Sequence, residues 1–221
     1  YVELICLINA SEMPLSASIN RMYLQLASLV RDIVSVLEGD DLDLISDAEE
    51  RESEVDALLY LVERQVCVAL DSHLVATSLK LGRNQAVEHS NLARSLERMM
   101  DHALQMAELT KDSDKPKVAD NQPLISQISV WQIAIKQLMI NIRTRDSTEI
   151  EEARGNLKQA QIEIMNFEGQ LVEGRKLSKS DLFQFRMSES IRRLCAYARD
   201  FGEILLNIKM YDEMIIDKSS D

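Results

Sequence analysis

Two five-residue strings carry the side chains most able to do chemistry: ESEVD at 52–56 and ERMMD at 97–101. Each places an acid four residues before another, Glu52 with Asp56 and Glu97 with Asp101. On a helix, that spacing puts both carboxylates on one face, where two like charges repel by roughly 0.2–0.5 kcal/mol. Each pair also borders an apolar stripe: Val55 and Leu59 beside the first, Met100 and Leu104 beside the second. If the two helices are antiparallel neighbours, four carboxylates converge. A convergent set of oxygens suits a hard divalent or trivalent cation such as Mg, Mn or Fe. His102 follows Asp101 directly, but its side chain points about 100° further round the helix, which makes it a poor ligand. The same spacing recurs at Asp43/Asp47, Glu50/Glu54, Glu108/Asp112 and Glu213/Asp217, where a solvated face is the ordinary reading. Position at a stripe edge on consecutive helices sets the first two pairs apart.

Other chemistries find little support. No GxSxG or GxxxxGK string occurs, and no Ser–His–acid arrangement can be read. His73 and His89 have no Cys or acid at a usable ligand spacing. Trp131 and most of the ten methionines fall on apolar stripes and read as core. The chain is therefore expected not to be an enzyme. Its net charge of −12 disfavours direct contact with a phosphate backbone, so this segment is expected not to bind nucleic acid. The acids are uneven: nine fall within Asp40–Asp56. Arg186, Arg192, Arg193 and Arg199 form a modest basic stretch that reads as a solvated face or a dock for an acidic partner. Cys6, Cys67 and Cys195 are far apart and odd in number, which argues against a disulfide framework and for a reducing, cytoplasmic setting. No apolar run is long enough to span a bilayer.

The elements that position these acids read as helices throughout. Gly and Pro are scarce, and good helix formers dominate. Residues 1–13 read as an extended lead-in, a possible remnant of an upstream domain. Pro14 opens helix one, whose stripe runs Ile19, Met22, Leu26, Leu29, Ile33 and Leu37. EGDD at 38–41 ends it. Helix two spans about 42–70, and a break near 81–84 precedes helix three, with Leu92, Leu96, Met100, Ala103 and Ala107 on its stripe. The polar, Pro-containing segment 112–122 reads as a linker. Pro123 then opens helix four, and the sequence begins to repeat. A shift of 109 positions lays Ile19, Met22, Leu26, Leu29 and Ile33 on Ile128, Trp131, Ile135, Leu138 and Ile142. Helix five spans about 148–172 and helix six about 182–210. The expected architecture is all-α: two tandem three-helix bundles, at 14–111 and 123–217, followed by a short tail at 218–221.

Specific strings resemble the PhoU family. LERMMDHALQMAE at 96–108 is similar to that family's helix-three motif, usually written LERIGDHAxNIAE. EERESEVDALLYLVERQVCVAL at 49–70 resembles its helix-two motif, and NRMYLQLASLVRDIV at 20–34 looks like the archaeal branch, in which an AbrB-like domain lies upstream. The resemblance covers most of 14–217 and is more specific in the first half. It implies two similar three-helix bundles and a multinuclear iron or other metal site held by E/DxxxD/N motifs, which carry over to Glu52, Asp56, Glu97 and Asp101. The chain departs from the pattern at Arg94, where the family often has Asn or Asp, and at Met100, where it has Gly. In the second half only Asn166 and Asp200 remain, with Ile162 and Ala196 in place of the other acids. That site is expected to be degenerate, and Arg94 or Arg98 is expected to act as counter-charge in the first.

The resemblance implies a cytoplasmic regulator of phosphate uptake. It would contact a phosphate ABC transporter ATPase or a signalling protein, as a homodimer, with peripheral membrane association compatible. Beneath a DNA-binding domain, this part would sense or dimerise. One alternative is an accessory domain of an ion channel or cotransporter. Another is a carboxylate-bundle metal protein, which ranks lower because the Glu-x-x-His pairs of ferritin-like sites are absent from the candidate helices.

Overall fold

The computed structural model describes residues 14–78, 82–112, 118–172 and 178–218. All regular structure among them is helical: α1 (Leu15–Leu37), a 3₁₀ turn (Leu42–Ile45), α2 (Ala48–Asp71), the short α3 (His73–Ser78), α4 (Arg83–Asp112), α5 (Val118–Thr144), α6 (Ser147–Val172) and α7 (Lys179–Lys218). Helices α1, α2 and α4 pack into one bundle and α5, α6 and α7 into a second. The bundles join chiefly along α4 and α7, and α1 also meets α5. The result is two layers, α1 beside α5 and α4 beside α7, flanked by α2 on one side and α6 on the other.

The expected stripes are the core. Ile19, Met22, Leu26, Leu29 and Ile33 are fully buried, as are their shifted counterparts Ile128, Trp131 and Leu138, with Ile135 nearly so. Ile142 is partly buried and packs against the core. Burying this much branched apolar surface is what holds the helices together, since their intrinsic propensities contribute little in water.

Helix ends differ from the sequence reading for local reasons. Residues 42–45 form a 3₁₀ turn, because the Asp41 carboxylate accepts the Asp43 N–H at 3.1 Å and pulls the backbone away from the α geometry. Helix α2 therefore starts at Ala48. Helix α5 starts at Val118, so Pro123 lies inside it. A proline in the second turn forfeits only one backbone bond, to the carbonyl four residues earlier. Helix α7 starts at Lys179 because Ser178 and Asp181 form a reciprocal cap: the Asp181 N–H donates to Ser178 Oγ at 3.1 Å, and the Ser178 N–H donates to Asp181 Oδ2 at 2.8 Å. The lead-in at 1–13 and parts of the linker and of the 173–181 turn lie outside the described residues. Gly39, with φ at 115°, ends α1 in a conformation that side chains resist.

A polar cluster ties the bundles together at one end. Gln85 of α4 donates to Asp212 of α7, and Arg145, in the left-handed turn between α5 and α6, faces Asp212 at 3.9 Å. His89 sits beside them, almost completely buried, its Nδ1 2.7 Å from the Gln85 carbonyl. Burial holds its pKa below the usual histidine value. The nearby Arg145 adds to that, while Asp212 and Glu88 oppose it. The unfolded chain thus takes up this proton at a higher pH than the folded chain. Stability is therefore expected to fall as pH drops below about 6.5, with a slope from this group of at most about 1.4 kcal/mol per pH unit. Thermal midpoints between pH 7.5 and 5.5 check this: His89→Gln should flatten the acid-side decline, and an unchanged slope would assign it elsewhere.

Candidate functional site

Helices α2 and α4 run past each other in the first bundle, and their shared seam carries all four predicted acids. Each is half-buried. Their apolar neighbours explain the placement. Val55 and Met100 are fully buried, so the residues flanking them are held at the water's edge instead of in open solvent.

The four carboxylates act on one another across the seam. Partial burial pushes the Glu52 carboxyl above the ordinary glutamate range, and the charges of Asp56 and Asp101 push it further. Glu97 is raised by burial and then by Asp101, Asp56 and Glu52, with Arg98 opposing. Asp101 is raised by burial and by Asp56, with His102 opposing. The influences cross the seam: Asp101 acts on Glu52, and Asp56 acts on both Glu97 and Asp101. Among the described residues, no group of three or more His, Cys, Asp or Glu side chains is drawn tightly enough to enclose a metal ion. The four thus face one another at electrostatic range without forming a closed shell.

Neighbouring acids behave differently. Glu54 is held by Arg21 and Gln25 of α1. Asp47 and Asp32 share Arg51, at 2.9 and 2.6 Å. Glu63 is held by Arg94 at 2.8 Å. Among the described residues, none of the four seam acids makes an ion pair. The expectation that Arg94 would close the site is thereby corrected: Glu63, on the same stretch of α2, takes its guanidinium. Arg98 instead lies over the Tyr197 ring of α7, 5.6 Å from its centre, and weighs on Glu97 only secondarily. His102 is also turned away. It stacks on Tyr197 at 5.8 Å and lies 3.1 Å from Gln105, as its angular offset from Asp101 required.

The second half does not reproduce the arrangement. Asn166, on α6, and Asp200, on α7, are both exposed. Asn166 lines a shallow cleft between α5 and α6 with Leu124, Gln127, Glu163 and Phe167, whereas Asp200 belongs to α7. The α6–α7 seam holds other residues, which sequence spacing did not single out. Arg199 donates to Gln161 at 2.8 Å, Arg192 lies 3.4 Å from Glu168, and the Arg154 stem lies over Gly202. Polar pairs with arginine on α7 replace the facing acids, so this seam has no excess negative charge to offer a cation. The Tyr197 platform was also missed, because it depends on how the bundles dock, which no local pattern encodes.

No described helix is long and apolar enough to cross a membrane. Comparison with curated proteins gives no match. The model of one family, described as the PhoU domain, matches residues 19–110, from the first stripe residue of α1 to the last turn of α4. The bundle that carries the acidic seam is thus the part of the chain in which a PhoU domain is detected, at residues 19–110.

Proposed function

We propose that this chain is a regulator of phosphate uptake that acts by presenting helical surfaces to a phosphate transport system or its signalling partner. In this reading it has no catalytic role of its own. The reading rests on the PhoU domain at residues 19–110, whose family suggests a role in phosphate homeostasis. Glu52, Asp56, Glu97 and Asp101 would hold a hard divalent or trivalent cation, iron among them. The donor chemistry fits: four carboxylates, none in an ion pair among the described residues, half-buried and mutually repelling. A bound cation would supply positive charge between α2 and α4 and fix their separation. The chain's own acids would do the rest, turning their oxygens to the cation and drawing the two helices together. Absence of Glu-x-x-His pairs and of arginine-free acids in the second seam disfavours a ferritin-like store.

The direct test is retention of the transporter's ATPase subunit on the immobilised full chain, with and without added Mn²⁺ or Fe³⁺. Retention that strengthens with the cation is the expected result. No retention under either condition would reject the partner assignment.

A further inference from the structure

Helices α4 and α7 meet along a second seam, away from the acidic pairs. Gln85 and Asp212 join it near one end, and Gln105 and Ser190 line one cavity near the other, so the two helices run antiparallel. Between those ends two pairs of residues, each spaced by four, come together: Arg98 and His102 on α4, Arg193 and Tyr197 on α7. The Tyr197 ring gathers them. Arg98 lies 5.6 Å from its centre and His102 stacks on it at 5.8 Å, while Arg193 is close enough for its charge to act on His102.

These side chains have hydrogen-bonding capacity to spare. Among the described residues no carboxylate pairs with Arg98 or Arg193, and both are exposed. Resting on an aromatic face leaves the Arg98 N–H groups free to donate. His102 supplies the opposite capacity. Its Nδ1 donates to Gln105 Oε1 at 3.1 Å, so Nε2 of the neutral ring is an acceptor, and Nε2 makes no hydrogen bond among the described residues. Burial holds the His102 pKa below the ordinary histidine value. Gln105, Asp101 and Glu189 oppose this and Arg193 adds to it.

We propose that Arg98, His102 and Arg193, set around the Tyr197 ring, bind a small oxyanion that carries a proton, inorganic phosphate in preference to sulfate. The two guanidinium groups supply donors and positive charge. The bare Nε2 takes the hydroxyl that phosphate keeps at neutral pH and sulfate lacks; a sulfate oxygen there would meet a lone pair. The surroundings restrict the ligand to a small one. Beyond Gln105 lies a cavity of about 200 Å³ where Glu108, Asp112 and Glu189 stand against Arg186. In the opposite direction along α7, the exposed Asp200 follows Tyr197 by three residues. The further phosphates of a nucleotide would run into these acids. The site needs neither a cation at the α2–α4 seam nor a partner protein, so it stands or falls separately from the function proposed above.

Equilibrium dialysis of the full chain against labelled phosphate at pH 7.5 tests it, with EDTA present so that no metal ion carries the anion. Saturable uptake of a single phosphate per chain, preferred over sulfate by about tenfold or more, is expected. Arg98→Gln and Arg193→Gln should each weaken it about tenfold. His102→Phe, which keeps a ring on Tyr197, should abolish the preference over sulfate. Arg31→Gln with Arg143→Gln, exposed on α1 and α5, should change nothing. Unaltered helix content by circular dichroism verifies the folding of each variant. No saturable uptake, uptake indifferent to Arg98 and Arg193, sulfate held as tightly as phosphate, or ADP held more tightly than phosphate would each overturn the proposal. So would uptake seen only without EDTA, which would put the anion on a metal ion instead.

Discussion

Asp101→Asn is expected to make the metal-free protein more stable and at least about a hundredfold weaker in binding Mn²⁺ or Fe³⁺. The two effects have one origin. Glu52, Glu97 and Asp101 have raised pKa values, so the folded chain holds their protons more readily than the unfolded chain does. Above those raised values the fold carries their mutual repulsion. As pH falls through the raised values that repulsion is relieved. Asn keeps the shape of the side chain and removes one charge. At a few tenths of a kcal/mol for each like-charge contact, the midpoint should rise by about 1–3 °C without metal. Wild type should gain stability on adding the cation, and Asp101→Asn should gain little. Thermal scans with and without Mn²⁺, with elemental analysis of the purified proteins, read both effects. If the variant melts as wild type does and takes up as much metal, the four acids are a solvated face and nothing more.

Trp131→Ala should be the most damaging single change, at about 3–5 kcal/mol, with a fall in thermal midpoint of roughly 8–15 °C. The indole is fully buried in the second bundle, at the position that Met22 occupies in the first. Truncation leaves a cavity that three helices can only partly close. Trp131→Phe offers an internal control. The indole Nε1 is buried without a hydrogen-bond partner, and such a donor costs stability wherever it stays unsatisfied. Phenylalanine fills most of the volume and removes that donor, so its cost should be well under half that of alanine. Denaturant unfolding of the two variants separates the contributions; equal losses would show that the volume of the ring does not matter there.

The apolar repeat was readable because burial acts on each helix by itself. Ile19 to Ile33 and Ile128 to Leu138 announce their inward faces at a fixed period, and the structure buries them. The first acidic seam was readable for a related reason: a fixed offset from a buried stripe fixes where Glu52 and Asp101 emerge. The second seam was not. Asn166 and Asp200 follow the family spacing, but the α6–α7 contact selects Gln161 and Arg199, and only the register of two packed helices decides that. Helix ends escaped notice where one side chain sets them, as Asp41 does before the 3₁₀ turn. The Gly202–Arg154 contact, with the arginine stem 2.7 Å from where a Cβ would sit, leaves no periodic trace at all.

Helix α4 alternates its allegiance residue by residue where the two bundles meet. Glu97 and Asp101 look toward α2, while Arg98 and His102, each the very next residue, rest on the Tyr197 ring of α7. A rigid helix cannot turn one pair without turning the other. Any rotation that gathers the acids must therefore slide the guanidinium and imidazole across that aromatic surface, and the far bundle is mechanically informed of what the near one holds.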